Sequence, residues 1–197
     1  TERQQEKCKA ELGFHDIKKP LLVVTGGGLG ARIINRIVAS IASQLLDHMA
    51  ILHLTGTKNY QETVDAAPEH VDYIIKPFLP SMTVALGAAD IVISRAGATS
   101  LAELAAMSKA VIIVPHPYLT GGHQIKNASV YAKSGAAIAL DEEKIMLDHR
   151  KLTRIVLALA ASQQKRDKLG EKMHAFSKPS AALDMAALIA EAALTKN

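Results

Sequence analysis

The sequence is poor in cysteine and in aromatic residues. Its 197 residues contain one cysteine, no tryptophan, four tyrosines and three phenylalanines. The single cysteine, Cys8, excludes an internal disulfide, so the fold must be held by its core rather than by cross-links. Cys8 stands among charged residues in TERQQEKCKAEL, a stretch that predicts a surface helix rather than a secretory leader. We therefore interpret this cysteine as incidental to function.

Long apolar runs and clusters of basic residues are also missing. No run approaches the roughly 20 residues that a membrane-spanning helix needs. The net charge is +4, which permits attraction to phosphorylated ligands or to an anionic membrane surface. The basic residues are scattered, however, and the few aromatic rings offer little for bases to stack on. A nucleic-acid partner is therefore not expected.

What the sequence does contain is an alternation of short β-branched runs with longer amphipathic stretches. Runs that are apolar on both faces are typical of parallel strands buried between helices. The pattern predicts an α/β fold with a doubly wound, six-stranded parallel sheet of the Rossmann-like kind, in one domain over residues 1–197. The predicted strands are 20–25, 50–55, 72–76, 90–94, 110–115 and 136–140. The predicted helices are 30–46, 59–67, 80–88, 100–107 and 122–134, followed by C-terminal helices at 148–161, 163–176 and 179–194.

Ligands of such sheets bind beyond the carboxyl ends of the strands, in the loops that lead into helices. Those loops read TGGGLGAR, TGTKNY, KPFLPSM, SRAGATSLAEL and PHPYLTGGHQIKN. They are rich in glycine, proline and small polar residues, and they are where functional residues are expected.

The first loop, TGGGLGAR at 25–32, places glycines directly before a helix, an arrangement that can hold phosphate on backbone amides. It matches the dinucleotide fingerprint only in the form G-x-G-x-x-A, and no acid follows the next strand to hold a nicotinamide cofactor's ribose. No Gly-Lys-Ser/Thr follows either, so the loop is not a Walker motif. The alternative is a tight turn that needs glycine only for its backbone geometry.

The stretch SRAGATSLAEL at 94–104 also has two interpretations. Ser100 and Glu103 fit the S-x-x-E capping box, in which both side chains satisfy free amides at a helix start. In the competing hypothesis, the residues from Gly97 to Ser100 present amides and hydroxyls to a diphosphate. Glu103 then accepts hydrogen bonds from the vicinal hydroxyls of a ribose.

The stretch PHPYLTGGHQIKNA at 115–128 brings His123, Gln124 and Asn127 to a predicted helix start. Imidazole and amide groups in such a place suit the hydroxyls of a neutral sugar, whereas N-capping and packing are the alternative for Asn127. His116 and His123 have no third ligand nearby in sequence, so a metal site is not expected. No Ser-His-Asp or Cys-His arrangement and no G-x-S-x-G elbow is evident.

Taken in order, these loops resemble the C-terminal, nucleotide-sugar-binding domain of the MurG family of N-acetylglucosamine transferases. The resemblance runs from about residue 12 to 194 and rests on LLVVTGGGLGARIIN, ILHLTGTKNY, KPFLPSM, ADIVISRAGATSLAELAA, AVIIVPHPYLTGGHQIKNA and SGAAIAL. The family implies the C-terminal half of a GT-B glycosyltransferase, in which two Rossmann-like domains face each other across the active site. It implies inverting, metal-independent transfer of N-acetylglucosamine from its UDP donor to a lipid-linked muramyl peptide in peptidoglycan synthesis, with no cofactor.

The resemblance also implies roles for individual residues. Uracil is recognised near PFLPSM, with the backbone of Leu79 reading its edge and Met82 beside it, and Glu103 holds the ribose. The diphosphate meets the glycine loop at Gly27 and Gly28, and the helix start at Ala98, Thr99 and Ser100. His123 and Gln124 contact the N-acetylglucosamine, and Asn127 supports them. The chain departs from the family at Gly28 and Leu29, where a serine and often a glutamine are usual, and it lacks charged residues that often precede Gln124.

The family's acceptor site, proposed general base and membrane-facing patch belong to an N-terminal domain that this sequence does not match. The resemblance therefore implies a chain that binds donor but needs an acceptor-binding domain or subunit for turnover, at the cytoplasmic face of the cell membrane. The alternatives are a donor domain or subunit of another GT-B enzyme, acting on a glycolipid or dolichol-linked acceptor, and a non-catalytic nucleotide- or NAD-binding module.

Overall fold

The computed structural model describes residues 2–26, 31–118 and 120–194. Its strands are β1 (Leu21–Thr25), β2 (Ala50–Leu54), β3 (Tyr73–Lys76), β4 (Ile91–Ser94), β5 (Ala110–Ile113) and β6 (Ala137–Ala139). Its helices are α1 (Glu2–Glu11), α2 (Arg32–Leu46), α3 (Tyr60–Ala66), α4 (Met82–Ala88), α5 (Ala98–Ala106), α6 (His123–Lys133), α7 (Glu142–Leu147), α8 (Arg150–Ala160), α9 (Gln163–His174) and α10 (Ala181–Leu194).

The strands form one six-stranded sheet in the order β3-β2-β1-β4-β5-β6, and every neighbouring pair is parallel. The predicted α/β fold with a doubly wound parallel sheet is confirmed. All six predicted strands are present, with ends that differ by a residue or two. Since β1 lies between β2 and β4, the chain winds outward in both directions from the middle of the sheet.

The apolar residues of each strand divide between two core layers. Leu21 and Val23 pack on the face covered by α1, α4, α5 and α9, whereas Leu22 and Val24 pack on the face covered by α2, α7 and α8. Alternate residues of a strand point to opposite faces, so a run that is apolar throughout fills both layers.

Two helix predictions need correction. The stretch at the amino terminus is helical, but α1 is not a plain surface helix: it packs against α4 and buries Cys8 and Lys9. Lys9 Nζ donates to Asp90 Oδ2 at 2.8 Å, which explains how a lysine is accommodated there. The second correction adds helix α7, which was not predicted from the sequence. Asp141 caps it by accepting from the Lys144 amide at 3.1 Å, with Glu142 and Glu143 in its first turn.

The last helix, α10, exposes its large apolar side chains. Leu183, Met185, Leu188 and Ile189 are all more than half exposed, between 58% and 75%. α9, in contrast, buries Gly170 and Met173 against the sheet layer. The two C-terminal helices therefore differ in what they contribute to the core.

Ending the chain after Lys178 should change the free energy of unfolding by less than about 0.5 kcal/mol, because the side chains removed are exposed. Urea denaturation followed by circular dichroism measures this quantity. As a control, ending the chain after Ala161 also removes buried Met173 and should abolish cooperative unfolding. A loss in the free energy of unfolding above about 1 kcal/mol for the chain that ends after Lys178 would show that α10 stabilises the fold described.

Candidate functional site

The loops in which a site is predicted follow the carboxyl edge of the sheet, where β1 and β4 end side by side. Thr25, the last residue of β1, is paired in register with Ser94, the last residue of β4. The connection after β1 leads away toward β2, and the connection after β4 leads the other way toward β5. This divergence opens a crevice at the switch point of the sheet, where ligands of doubly wound folds bind.

A cavity of about 370 Å³ occupies this crevice. It brings together four of the predicted site residues, Leu79, Met82, Ser100 and Glu103, from α4, α5 and the loop before α4. Its volume lies in the range of small-molecule sites. The remaining lining residues are Thr25, Leu54, Gly56, Thr57, Pro77, Phe78, Leu86, Ser94 and Leu104.

The cavity walls are mainly apolar, with polar groups at a few places. Leu54, Leu86 and Leu104 are buried and form a fixed apolar wall, whereas the ring of Phe78 is 70% exposed at the rim. Glu103 is the one acid among the lining residues, and it is exposed. An apolar slot with one carboxylate suits a flat heterocycle joined to a hydroxyl-bearing group.

A buried hydroxyl lies in the same wall. Ser94 is 1% exposed, and its Oγ has no hydrogen-bond partner among residues 2–26, 31–118 and 120–194. Buried polar groups normally have hydrogen-bond partners. A ligand or an ordered water in the cavity would supply the partner that the Ser94 hydroxyl lacks.

The start of α5 excludes the capping-box interpretation of SRAGATSLAEL. The N-cap residue is Gly97, and no side chain caps the helix. Ser100 is the third residue of α5, so the capping-box interpretation of Ser100 and Glu103 is wrong. The amides of Ala98, Thr99 and Ser100 belong to the first turn, which has no intrahelical acceptors for them. Ala98 and Thr99 are exposed, so these amides and the positive end of the helix dipole are open to an anion.

Asn127, in α6, holds the turn that leads into α5. Its Nδ2 donates to the carbonyl oxygen of Ala96 at 3.0 Å. The N-cap of α6 is Gly122, which has no side-chain cap, so Asn127 packs and positions rather than caps. This contact ties the start of α5 to α6.

Gln124 and His123 lie at the start of α6, outside the residues that line the cavity. Gln124 Oε1 accepts from the backbone amide of His116 at 2.9 Å, which leaves its amide group to donate. His123 is exposed, and its ring lies over Gly121, where a Cβ would come within 2.6 Å of Nε2. Gly121 and Gly122 both have positive φ, so glycine is required twice in this turn.

The glycine loop supplies two predicted site residues, Gly27 and Gly28. Both lie outside the residues that the structure describes, so their proposed contact with phosphate stays a prediction. The described chain resumes at Ala31, the N-cap of α2.

A buried polar network supports the wall formed by β2. His53, which is fully buried, contacts Tyr73 OH with Nδ1 at 2.9 Å and Asn35 Oδ1 with Nε2 at 3.0 Å. Asn35 Nδ2 donates to the carbonyl oxygen of Thr55 at 2.9 Å, so Asn35 Oδ1 accepts from His53 and Tyr73 donates. Burial lowers the pKa of His53 to about 3 and raises that of Tyr73. The network fixes Thr55 beside Gly56 and Thr57 of the cavity.

A second cavity, of about 270 Å³, lies at the opposite, amino edge of the sheet. Three of the cations that line it have partners. Lys9 pairs with Asp90, and Lys109 Nζ donates to the carbonyl oxygen of Ala89 at 3.0 Å. Arg166 Nη1 donates to the last carbonyl groups of α8. The Lys109 and Arg166 contacts satisfy carbonyl groups at the ends of α4 and α8, so we interpret this cavity as structural.

Among the described ranges, no group of His, Cys, Asp and Glu side chains is arranged to hold a metal ion. His116 and His123 do not form such a group. In the same part of the chain, no helix combines the length and apolar character needed to cross a bilayer.

Several lining residues were not predicted from the sequence. Thr25, Leu54 and Ser94 end strands or lie near their ends, and Leu86 and Leu104 belong to the apolar faces of helices. Position could have identified the first group, because the residues at the carboxyl ends of β1, β2 and β4 border this crevice. Leu86 and Leu104 carried no signal beyond that of core residues.

Residues 21–189 match the family described as the glycosyltransferase family 28 C-terminal domain. Among curated proteins, the UDP-N-acetylglucosamine–N-acetylmuramyl-(pentapeptide) pyrophosphoryl-undecaprenol N-acetylglucosamine transferase of Nostoc punctiforme is 38% identical over 173 residues. The alignment covers 87% of this chain and 47% of the relative. The transferase of the same name from Halothermothrix orenii is 35% identical over 184 residues, covering 89% and 49%. The chain thus spans about half the length of the curated relatives that it matches.

Two solved structures are similar to this chain over most of its length. The MurG crystal structure from Acinetobacter baumannii is 25% identical, with a TM-score of 0.77, covering 96% of this chain and 53% of that one. The C-terminal CMP-Kdo binding domain of WaaA, also from Acinetobacter baumannii, is 8% identical with a TM-score of 0.60, covering 88% and 95%. The second likeness concerns the fold alone.

Proposed function

Since the chain belongs to the family of glycosyltransferase family 28 C-terminal domains, we propose that it is the donor-binding half of an N-acetylglucosamine transferase. The donor is UDP-N-acetylglucosamine, and the acceptor is an undecaprenyl-diphosphate-linked muramyl peptide, so that the whole enzyme makes lipid II from lipid I. The observation that carries the proposal is the cavity at the switch point, which gathers Leu79, Met82, Ser100 and Glu103.

We assign the nucleoside to this cavity. Uracil lies in the apolar slot, with its edge at the backbone of Leu79 and its face near Met82. Glu103 accepts hydrogen bonds from the two ribose hydroxyls, each charge-assisted and contributing about 1.5–3 kcal/mol. The exposed carboxylate and the buried leucines beside it support this assignment.

We assign the diphosphate to the start of α5. The open amides of Ala98, Thr99 and Ser100 bind it, and Gly27 and Gly28 add backbone amides from the neighbouring loop. The helix dipole stabilises the charge that develops on the leaving diphosphate, a task that a divalent ion performs in metal-dependent transferases. No cofactor or metal is part of the proposal.

The sugar then extends from α5 toward the start of α6. Asn127 supports this arrangement because it joins Ala96 to α6. We assign the side-chain amide of Gln124 and the exposed ring of His123 to the sugar hydroxyls, to which both can donate. Residues 1–197 form one domain in this proposal, and the general base, the acceptor site and the membrane contact belong to a partner domain or subunit. We place the whole enzyme peripherally on the cytoplasmic face of the membrane.

The direct test is isothermal titration of the chain with UDP, UDP-N-acetylglucosamine, UDP-galactose and NAD. We expect binding of UDP and UDP-N-acetylglucosamine and none of NAD. At about 100 times the dissociation constant, UDP should raise the free energy of unfolding by roughly 2.7 kcal/mol. Tight binding of NAD, or no binding of any uridine nucleotide, would contradict the proposal.

A second candidate is the donor half of another GT-B enzyme that uses a different UDP-sugar or acceptor. The departures at Gly28 and Leu29, and the neutral residues before Gln124, are the observations that favour it. Preference for UDP-galactose over UDP-N-acetylglucosamine in the same titration would support this candidate.

A further inference from the structure

The turn that leads from β4 into α5 contains a buried cation. Arg95 follows Ser94 of the cavity wall and stands two residues before Gly97, the N-cap of α5. It is 5% exposed and forms an ion pair with Glu142, the first residue of α7, which is 4% exposed. Neither residue lines the donor cavity.

The ion pair is incompletely satisfied. Arg95 Nη1 donates to the carbonyl oxygen of Val114 at 3.1 Å and contacts Glu142 Oε2 in the ion pair, but the buried Arg95 Nε has no hydrogen-bond partner in the described ranges. Removing two charges from water is costly, and apolar residues of similar size commonly stabilise a core as well or better. A gain in stability therefore does not explain why these charges are placed there.

The pair does explain how the turn is held. The carbonyl oxygen of Ser94 accepts from the Val114 amide at 2.9 Å, and that of Ala96 accepts from Asn127 at 3.0 Å. Arg95, between them, reaches Val114 and α7. Consecutive residues are thus fixed to Val114 just after β5, to α6 and to α7. A turn held at each residue has one orientation for the helix that follows.

We propose that Arg95 and Glu142 are positioning residues for donor binding: their buried ion pair sets the direction of the first-turn amides of α5 toward the diphosphate. The inference rests on the proposed function, since it requires the nucleotide to bind at the start of α5. The pair acts through the backbone and touches no ligand atom. It trades stability for a fixed anion-binding geometry.

The test replaces both charges by apolar residues in the double variant Arg95→Met with Glu142→Leu. The melting temperature is expected to stay equal or to rise, whereas the dissociation constant for UDP should increase roughly tenfold, since small misplacements of binding groups are costly. The matched control is Lys19→Met with Asp72→Leu. It removes a 2.7 Å, largely buried ion pair at the amino edge, and it should leave UDP affinity unchanged.

The outcomes separate the two proposals. If the unaltered chain does not bind UDP, the proposed function fails and this inference fails with it. If the unaltered chain binds UDP and the folded double variant binds it equally well, only the positioning role is overturned.

A second variant, Glu142→Gln, covers the case in which the double variant does not fold. It keeps the shape of the side chain and removes its charge. Measured below its melting temperature, it should bind UDP roughly three- to tenfold more weakly. Its affinity for uridine, which lacks the diphosphate, should change little. An unchanged affinity for UDP, or an equal loss for uridine, would overturn the positioning role.

Discussion

Replacing Glu103 by glutamine should weaken UDP binding by about 1–3 kcal/mol, the contribution of charge-assisted hydrogen bonds to a carboxylate. Glutamine keeps the shape of the side chain and one acceptor but loses the charge that two ribose hydroxyls would share. The melting temperature should not change, because Glu103 is exposed and caps no helix. Isothermal titration measures the first quantity and differential scanning calorimetry the second.

The ribose assignment can be isolated by pairing this variant with 2′-deoxy-UDP. If Glu103 binds the 2′-hydroxyl, the loss caused by Glu103→Gln should be smaller for the deoxy nucleotide, as in a double-mutant cycle. Glu171→Gln, an exposed acid on α9, is the matched control and should leave both affinities unchanged. Equal losses for the two nucleotides would remove Glu103 from the ribose.

Lowering the pH should destabilise the fold through His53, by roughly 3 kcal/mol between about pH 6.5 and pH 4. The sign follows from the pKa values. Burial lowers the pKa of folded His53 to about 3 from its ordinary 6.5, so the unfolded chain binds the extra proton between these values. The neutral ring therefore stabilises the fold fully above pH 6.5, and this contribution is lost as the pH falls toward 3.

The variant His53→Gln retains hydrogen-bonding groups but cannot titrate. Urea denaturation across this pH range should show a shallower loss of stability for the variant than for the unaltered chain, and the difference isolates His53 from the carboxylates. The exposed histidine His48, replaced by glutamine, is the control and should leave the pH dependence unchanged. Parallel curves for His53→Gln and the unaltered chain would contradict the assigned neutral state.

The strands and the class of fold were accessible from local sequence. Runs such as LLVV and AVIIVP are apolar at every position, which is the requirement for a strand covered on both faces. Helix α7 was missed because it is six residues long, too short for a clear period, although Asp141 followed by Glu142 and Glu143 is an N-terminal signal.

The helix start at Gly97 shows where local reasoning failed. Ser100 and Glu103 have the spacing of a capping box, but α5 begins before Ser100. The end of β4 at Ser94 and the anchoring of Arg95 and Ala96 set where the helix begins, and those anchors come from the residue after β5, from α6 and from α7. A spacing rule applied to eleven residues does not contain them.

The α/β alternation and the loops in which function should be sought follow from local sequence, because both depend on periodicity and on residues close in the chain. Tertiary structure decided the strand order, and with it which loops meet. Leu54, Leu86, Ser94 and Glu103 come from separate elements, and they share one cavity because β2, β1 and β4 lie side by side. It also decided that Arg95 faces Glu142 across 47 residues of chain. Pairings between distant residues depend on how the layers pack, which no local pattern specifies.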